Sequence, residues 1–135
     1  MPTAVEDKDA IREVLAEYCF RLDDGRFAEM AALFTEDGTW DTAFGKATGR
    51  AAIAELASSL RQRGEQPRPR AVHLVTNIAI TLDGGGAKVR SNWMVMQNSP
   101  QEPRIGSGGA YLDEMVNADG RWLFRYRKID RFIVP

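Results

Sequence analysis

Apolar residues recur at helical spacing through the first 60 or so positions of the chain and at strand spacing through the last half. In DKDAIREVLAEYCFRLDD, residues Ile11, Val14, Leu15, Tyr18 and Leu22 fall on one side, while Lys8, Arg12 and Glu17 lie on the wet side. Asp7 or Asp9 is expected to cap this helix, and Gly25 to end or interrupt it. RFAEMAALF continues with Phe27, Met30, Ala31 and Phe34 on a second amphipathic face. Asp37-Gly38 reads as a turn, followed by a short strand at 39–42. GKATGRAAIAELASSLRQRG is a third helical segment, with the stripe Ile53, Leu56, Ala57 and Leu60, and Gly64 where the helix ends. The prolines of EQPRPR remove donors and disfavour helix, which makes a loop.

From there the period changes to two. Strands are expected at 71–82, 87–96, 108–116 and 122–129, with DGGG at 83–86 and NADG at 117–120 as hairpin connections and QNSPQEPR as a longer loop. Helices followed by an antiparallel meander give an α+β class in which the leading helices pack on a curved sheet. No repeat or linker divides the chain, so one domain over 1–135 is expected. The 44% hydrophobic and 27% charged fractions are those of a folded globular protein rather than a disordered one. A net charge of −1 argues against a nucleic-acid-binding surface. Cys19, the only cysteine, sits in an apolar helical pattern and reads as a small buried hydrophobe. MPTAVEDKD has no basic region leading into an apolar run, and no stretch approaches a membrane span, so a cytoplasmic protein without membrane contact is the default expectation.

The polar residues of HLVTNIAI raise the question of chemistry. Period two puts His73, Val75, Asn77 and Ala79 on one face of that strand and Leu74, Thr76, Ile78 and Ile80 on the other. With both faces largely apolar, an unpaired His73 or Asn77 is costly. His73, the single histidine, is either a satisfied structural residue or the chemical centre of a pocket. Asp23 and Asp24 end the first helix, where the helix dipole opposes a carboxylate. Solvent exposure accounts for one of them. The other can pair with His73 only if the helix end dips into a cavity. An Asp–His pair in a mostly apolar pocket makes a general base, and Tyr18 is a candidate phenol donor to a developing oxyanion as well as an amphipathic core aromatic. Asp41, Asn92, Trp93 and Tyr111 are pocket-lining candidates.

Other chemistries fit less well. One His and one Cys do not make a structural zinc cluster, and no metal site is expected. GSGGAY at 106–111 lacks dinucleotide-binding spacing, so no cofactor is expected. RYRKIDR is basic, but Arg125 and Arg127 are expected on the solvated face of a strand whose other face holds Phe124 and Tyr126.

The segments IREVLAEYCFRLDDGRFAEMAALFTEDGTWD, TGRAAIAEL, HLVTNIAI, KVRSNWMVM and DGRWLFRYRKI resemble, in that order and over about residues 6 to 131, the SnoaL-like proteins of the nuclear-transport-factor-2-like superfamily. The resemblance implies a cone: helices closing a strongly bent, mostly antiparallel sheet, with a cavity at the wide end. It implies an aspartate at Asp23 orienting a histidine base at His73, with Tyr18 matching a helix tyrosine of several members. The superfamily spans dehydratases, isomerases, polyketide cyclases and a dehydrochlorinase, which suggests a lyase or isomerase acting on a small hydrophobic cyclic molecule. It also includes dioxygenase small subunits, which leaves a ligand-binding or assembly role as the alternative, and a homodimer or higher homo-oligomer is implied by the superfamily. The chain departs from the scytalone dehydratase pattern in lacking a second histidine on a later strand, where Asn92 or Trp93 stands.

Overall fold

Three helices cover one face of a six-stranded sheet. The computed structural model describes residues 1–63, 66–98 and 102–135. In chain order the elements are α1 (Ala4–Asp23), α2 (Phe27–Ala31), β1 (Phe34–Thr42), β2 (Gly45–Thr48), α3 (Arg50–Arg61), β3 (Ala71–Asp83), β4 (Gly86–Asn98), β5 (Pro103–Ala118) and β6 (Arg121–Ile133). The strand order is β2-β1-β6-β5-β4-β3. Every neighbouring pair is antiparallel except β1 with β6, which is parallel. The architecture is the expected α+β cone on a curved, mostly antiparallel sheet.

Local chemistry explains most of the boundaries. α1 starts earlier than Asp7 or Asp9 would have it: Thr3 is the cap, its hydroxyl accepting from the Glu6 amide while Glu6 reaches back to the Thr3 amide. Its inward stripe of Ile11, Leu15, Tyr18 and Cys19 is buried. At the far end Gly25 takes φ 74°, donating to the Leu22 carbonyl, and Arg26 donates to that of Arg21. These two bonds define a Schellman cap, which needs a left-handed residue at Gly25. The helix therefore stops with Asp23 in its last turn, close under β3.

Several expectations change. α2 ends at Ala31, and Phe34 opens β1 instead of continuing a helix. Asp37-Gly38 is no chain reversal; β1 runs through it with a shift in register against β6. The reversal falls at 43–44, and Gly45–Thr48, read as the start of the third helix, pairs with β1 as β2. Gly64, taken as the helix end, and part of QNSPQEPR lie outside the described residues. Both hairpins are where the turn residues put them: Asp83 pairs with Gly86, and Ala118 pairs with Arg121 around Asp119 and Gly120, both at positive φ.

Bulges bend the sheet and reset which residues face the helices. In β3 the pairing slips between Thr76 and Ala79, and Asn77 sits at φ 55°. His73 and Val75 face inward before the slip, and Ile78, Ile80 and Leu82 after it, so Asn77 and Ala79 do not share a face with His73. The opposite face is not apolar-packed on both sides as its sequence suggests: Val72 and Leu74 are exposed. At the register shift beside Gly109, the β6 backbone comes so close that a side chain there would run into the Asp130 carbonyl. Another shift, between Glu114 and Met115 of β5, lies opposite Arg125. It turns Arg127 into the interior, correcting its expected place on the solvated face.

Candidate active site

A cavity of about 1350 Å³ opens between the sheet and the helices. Its inner end is built from Tyr18, Trp40, Trp93 and Tyr111, with His73 and Asp23 along the wall. α1 supplies Tyr18 one turn before Asp23, β1 supplies Trp40, and β3, β4 and β5 supply His73, Trp93 and Tyr111. The edge position of β3 places its inward-facing His73 against the end of α1.

Asp23 and His73 meet twice. The His73 backbone amide donates to Asp23 Oδ2 at 2.8 Å, and His73 Nδ1 lies 2.6 Å from Asp23 Oδ1. One carboxylate thus fixes both the strand and the ring, and it sets the tautomer by accepting a hydrogen bond from Nδ1–H. Nε2 has no protein partner among the described residues. The side chains are 22% and 11% exposed, so the pair is sheltered yet reachable. Arg61 answers the electrostatic objection to an aspartate at a helix C-terminus. Its Nη2 donates to the carbonyls of Leu22 at 2.7 Å and Asp23 at 3.4 Å, bringing a cation to the negative end of the dipole.

Tyr18 is at the closed end of the cavity. Trp40 Nε1 donates to its hydroxyl oxygen at 2.9 Å, leaving the phenol proton free to donate. Burial raises the Tyr18 hydroxyl above its ordinary range, against the pull of Arg127, so it stays protonated at neutral pH. Trp93 stacks on Tyr111 with centroids 5.9 Å apart, and its ring lies 6.3 Å from that of His73. Trp93 Nε1 donates to the Asp130 carbonyl at 3.1 Å, which pins the indole.

Two of the residues named from sequence are placed elsewhere. Asn92 lies on the other side of β4 from Trp93, where its amide donates to the Gly109 carbonyl and accepts from Asn77. It is not part of the cavity wall, because strand alternation gives that position to Trp93. Asp41 likewise points away from Trp40 and accepts a hydrogen bond from the Tyr126 hydroxyl. That bond to a carboxylate raises the Tyr126 hydroxyl above its ordinary value.

The sequence pattern set Arg127 on the solvated face and gave it no part in the site. It is fully buried and forms a two-pronged pair with Asp113, at 2.8 Å and 2.9 Å. Its guanidinium carbon lies 3.7 Å from the Tyr111 ring centre and 4.3 Å from those of Tyr18 and Phe124. Burial works against both charges. It pushes the Asp113 carboxyl up, while the Asp113 charge and hydrogen bonds more than offset the burial of Arg127 and hold it protonated. Among the described residues, no three His, Cys, Asp or Glu side chains are grouped to hold a metal. No helix of the described residues is long and apolar enough to cross a membrane.

The family model described as SnoaL-like domain matches residues 3–128. The chain belongs to the SnoaL-like family. A function-unknown protein from Mycobacterium tuberculosis is similar over 96% of this chain and 76% of its own, at 26% identity and a TM-score of 0.84. A scytalone-dehydratase-like protein from Novosphingobium aromaticivorans is similar over 94% of this chain and 85% of its own, at 29% identity and a TM-score of 0.76. A protein like the β subunit of aromatic-ring-hydroxylating dioxygenases, from the same organism, shares the fold at 20% identity and a TM-score of 0.79, over 94% of this chain and 90% of its own. No curated protein matches the chain. The SnoaL-like fold thus covers dehydratase-like and dioxygenase-subunit neighbours.

Proposed function

We propose that the protein is a cofactor-independent lyase or isomerase that moves a proton on a small hydrophobic cyclic substrate. The observation that carries this reading is the Asp23–His73 pair on the wall of an aromatic cavity, with Nε2 unpartnered among the described residues. His73 Nε2 takes a proton from the carbon next to a carbonyl, and Asp23 balances the imidazolium that forms. Tyr18 donates to the carbonyl oxygen as charge builds there. In an elimination, the electron pair from the broken C–H bond forms a double bond, the hydroxyl leaves, and the imidazolium returns its proton to it as water. In an isomerisation the same proton goes to another carbon. Trp93 and Tyr111 offer ring faces for a cyclic substrate. Similarity to the scytalone-dehydratase-like protein supports the elimination branch.

The test is proton exchange in deuterium oxide, followed by NMR, on a panel of cyclic ketones with and without a β-hydroxyl. The parent protein is expected to accelerate exchange or loss of water for some members, and His73→Gln to abolish it. Equal rates in the two proteins, or no acceleration over buffer across the panel, would sink the reading.

One observation favours an assembly role. Val72, Met96 and Ile105 lie in register across three strands on the outer face, 40%, 42% and 58% exposed. Such a row is suited to covering by another chain, as a homodimer or within a larger complex. Light scattering of the parent against Met96→Lys checks it: a drop in mass is expected, and an unchanged monomer counts against it.

A further inference from the structure

We propose that the substrate of this cavity carries an anionic group, a carboxylate or a phosphate, held by arginines at the mouth while its ring system occupies the aromatic inner end. The inference rests on the cavity being the substrate site. The chain as a whole is almost neutral, with 18 basic and 19 acidic residues. The cavity lining is not: it includes Arg61, Arg63, Arg68, Arg70, Arg104 and Arg131, against only Asp23 and Asp24 among the described carboxylates. Lys8, Lys46, Lys88 and Lys128 all lie elsewhere.

Two of these arginines have structural work. Arg61 caps α1 and sits over the Phe27 ring, and Arg68 donates to the carbonyls of Leu60 and Arg61 at the end of α3. The acids are occupied too, Asp23 by His73 and Asp24 by Arg26. That leaves Arg63, Arg70 and Arg131 with no carboxylate partner among the described residues, and Arg104 beside them on the cavity lining. Their placement is set by the sheet. Ala71 pairs with Gln97, which pairs with Arg104, and the Arg70 carbonyl accepts from the Asn98 amide. Arg70 and Arg104 therefore stand on the same rim, at the ends of β3 and β5. Arg131 stands further along β6, its guanidinium carbon 5.2 Å from the Phe44 ring centre.

Like charges around a concave opening repel one another, and the low-dielectric wall strengthens the field they share. An anion relieves that repulsion. Arginine's planar fork matches carboxylate and phosphate oxygens, which a rim of lysines would not do as well. About 1350 Å³ also exceeds what a single small ring needs, leaving room for a substituent between ring site and mouth.

Binding of three probes with one ring system tests this by tryptophan fluorescence, since Trp40 and Trp93 line the cavity. The probes are 2-naphthoate, 2-naphthyl phosphate and the neutral 2-naphthamide. One or both anions are expected to bind about tenfold tighter than the amide at low salt, which is the yield of a few exposed ion pairs. The stronger anion identifies the group. Arg70→Gln/Arg104→Gln/Arg131→Gln should erase the preference while leaving amide binding intact, and Arg70→Gln/Arg104→Gln should reduce it if the triple variant folds poorly. Anions that bind no tighter than the amide, that fail to bind at millimolar concentration, or that keep their advantage in the variants would overturn the inference. His73→Gln separates this from the acid–base reading. An anion preference that survives in a protein whose proton exchange never depended on His73 leaves the rim standing and the mechanism fallen; His73-dependent exchange without anion preference does the reverse.

Discussion

Two carboxylate-centred pairs lie within this cone and differ chiefly in their access to water. Asp23–His73 and Asp113–Arg127 both have contacts below 3 Å, but the first is 11% and 22% exposed and the second not at all. In the buried pair every strong interaction is internal, with both carboxylate oxygens taken by the guanidinium and its face covered by Tyr111. Only Arg127 Nη1 keeps an unused donor among the described residues, and it is sealed from solvent. In the open pair one ring nitrogen is spent on orientation and the other has no partner among the described residues. Burial turns a charge pair into a fixed part of the core, whereas partial exposure keeps one valence for chemistry.

Breaking each pair should therefore give opposite signatures. The largest effect expected is on stability: Asp113→Ala strands the Arg127 charge in the core and should cost about 3–5 kcal/mol in urea unfolding, whereas replacing both partners by Leu and Met should cost far less. A small loss for Asp113→Ala would mean that water reaches Arg127. Next, His73→Gln should lower kcat on a substrate found by the exchange screen about a thousandfold, with little change in melting temperature. Asp23→Asn should lose about a hundredfold, the low end of what a positioned acid–base pair contributes, because the ring loses its charge balance while the side chain still offers an oxygen. If the two variants differed little from the parent in rate but fell in stability, the open pair would be structural like the buried one.

Two smaller effects probe the boundary between the regions. Burial pushes the Cys19 thiol from 9.0 up to about 11. A folded value above the unfolded one means the contribution is complete below pH 9, and that stability falls as the unfolded thiol ionises and the folded one does not. Between pH 8 and pH 11 the parent should lose about 2 kcal/mol more than Cys19→Ala. Equal losses would mean the thiol is not sequestered. Tyr18→Phe removes the acceptor of the buried Trp40 N–H and should cost about 1 kcal/mol of stability and about tenfold in kcat. A stability loss alone would assign Tyr18 to the core.

By itself the sequence determined the elements whose signals are local. The stripe of α1 is legible because i, i+4, i+7 spacing is a property of the segment, and the hairpins because Asp-Gly and Gly-Gly steps fix their own turns. The SnoaL-like resemblance carried the pairing of Asp23 with His73, which no local pattern could, since 50 residues separate them. The tertiary structure decided the phase of each strand. A slip at Asn77 broke the face shared with His73, alternation put Trp93 rather than Asn92 on the cavity wall, and the shift opposite Arg125 sent Arg127 inward. Alternation along a strand is fixed by the backbone, but which parity faces the core depends on where neighbouring strands slip, and that is settled only when the sheet bends around the helices.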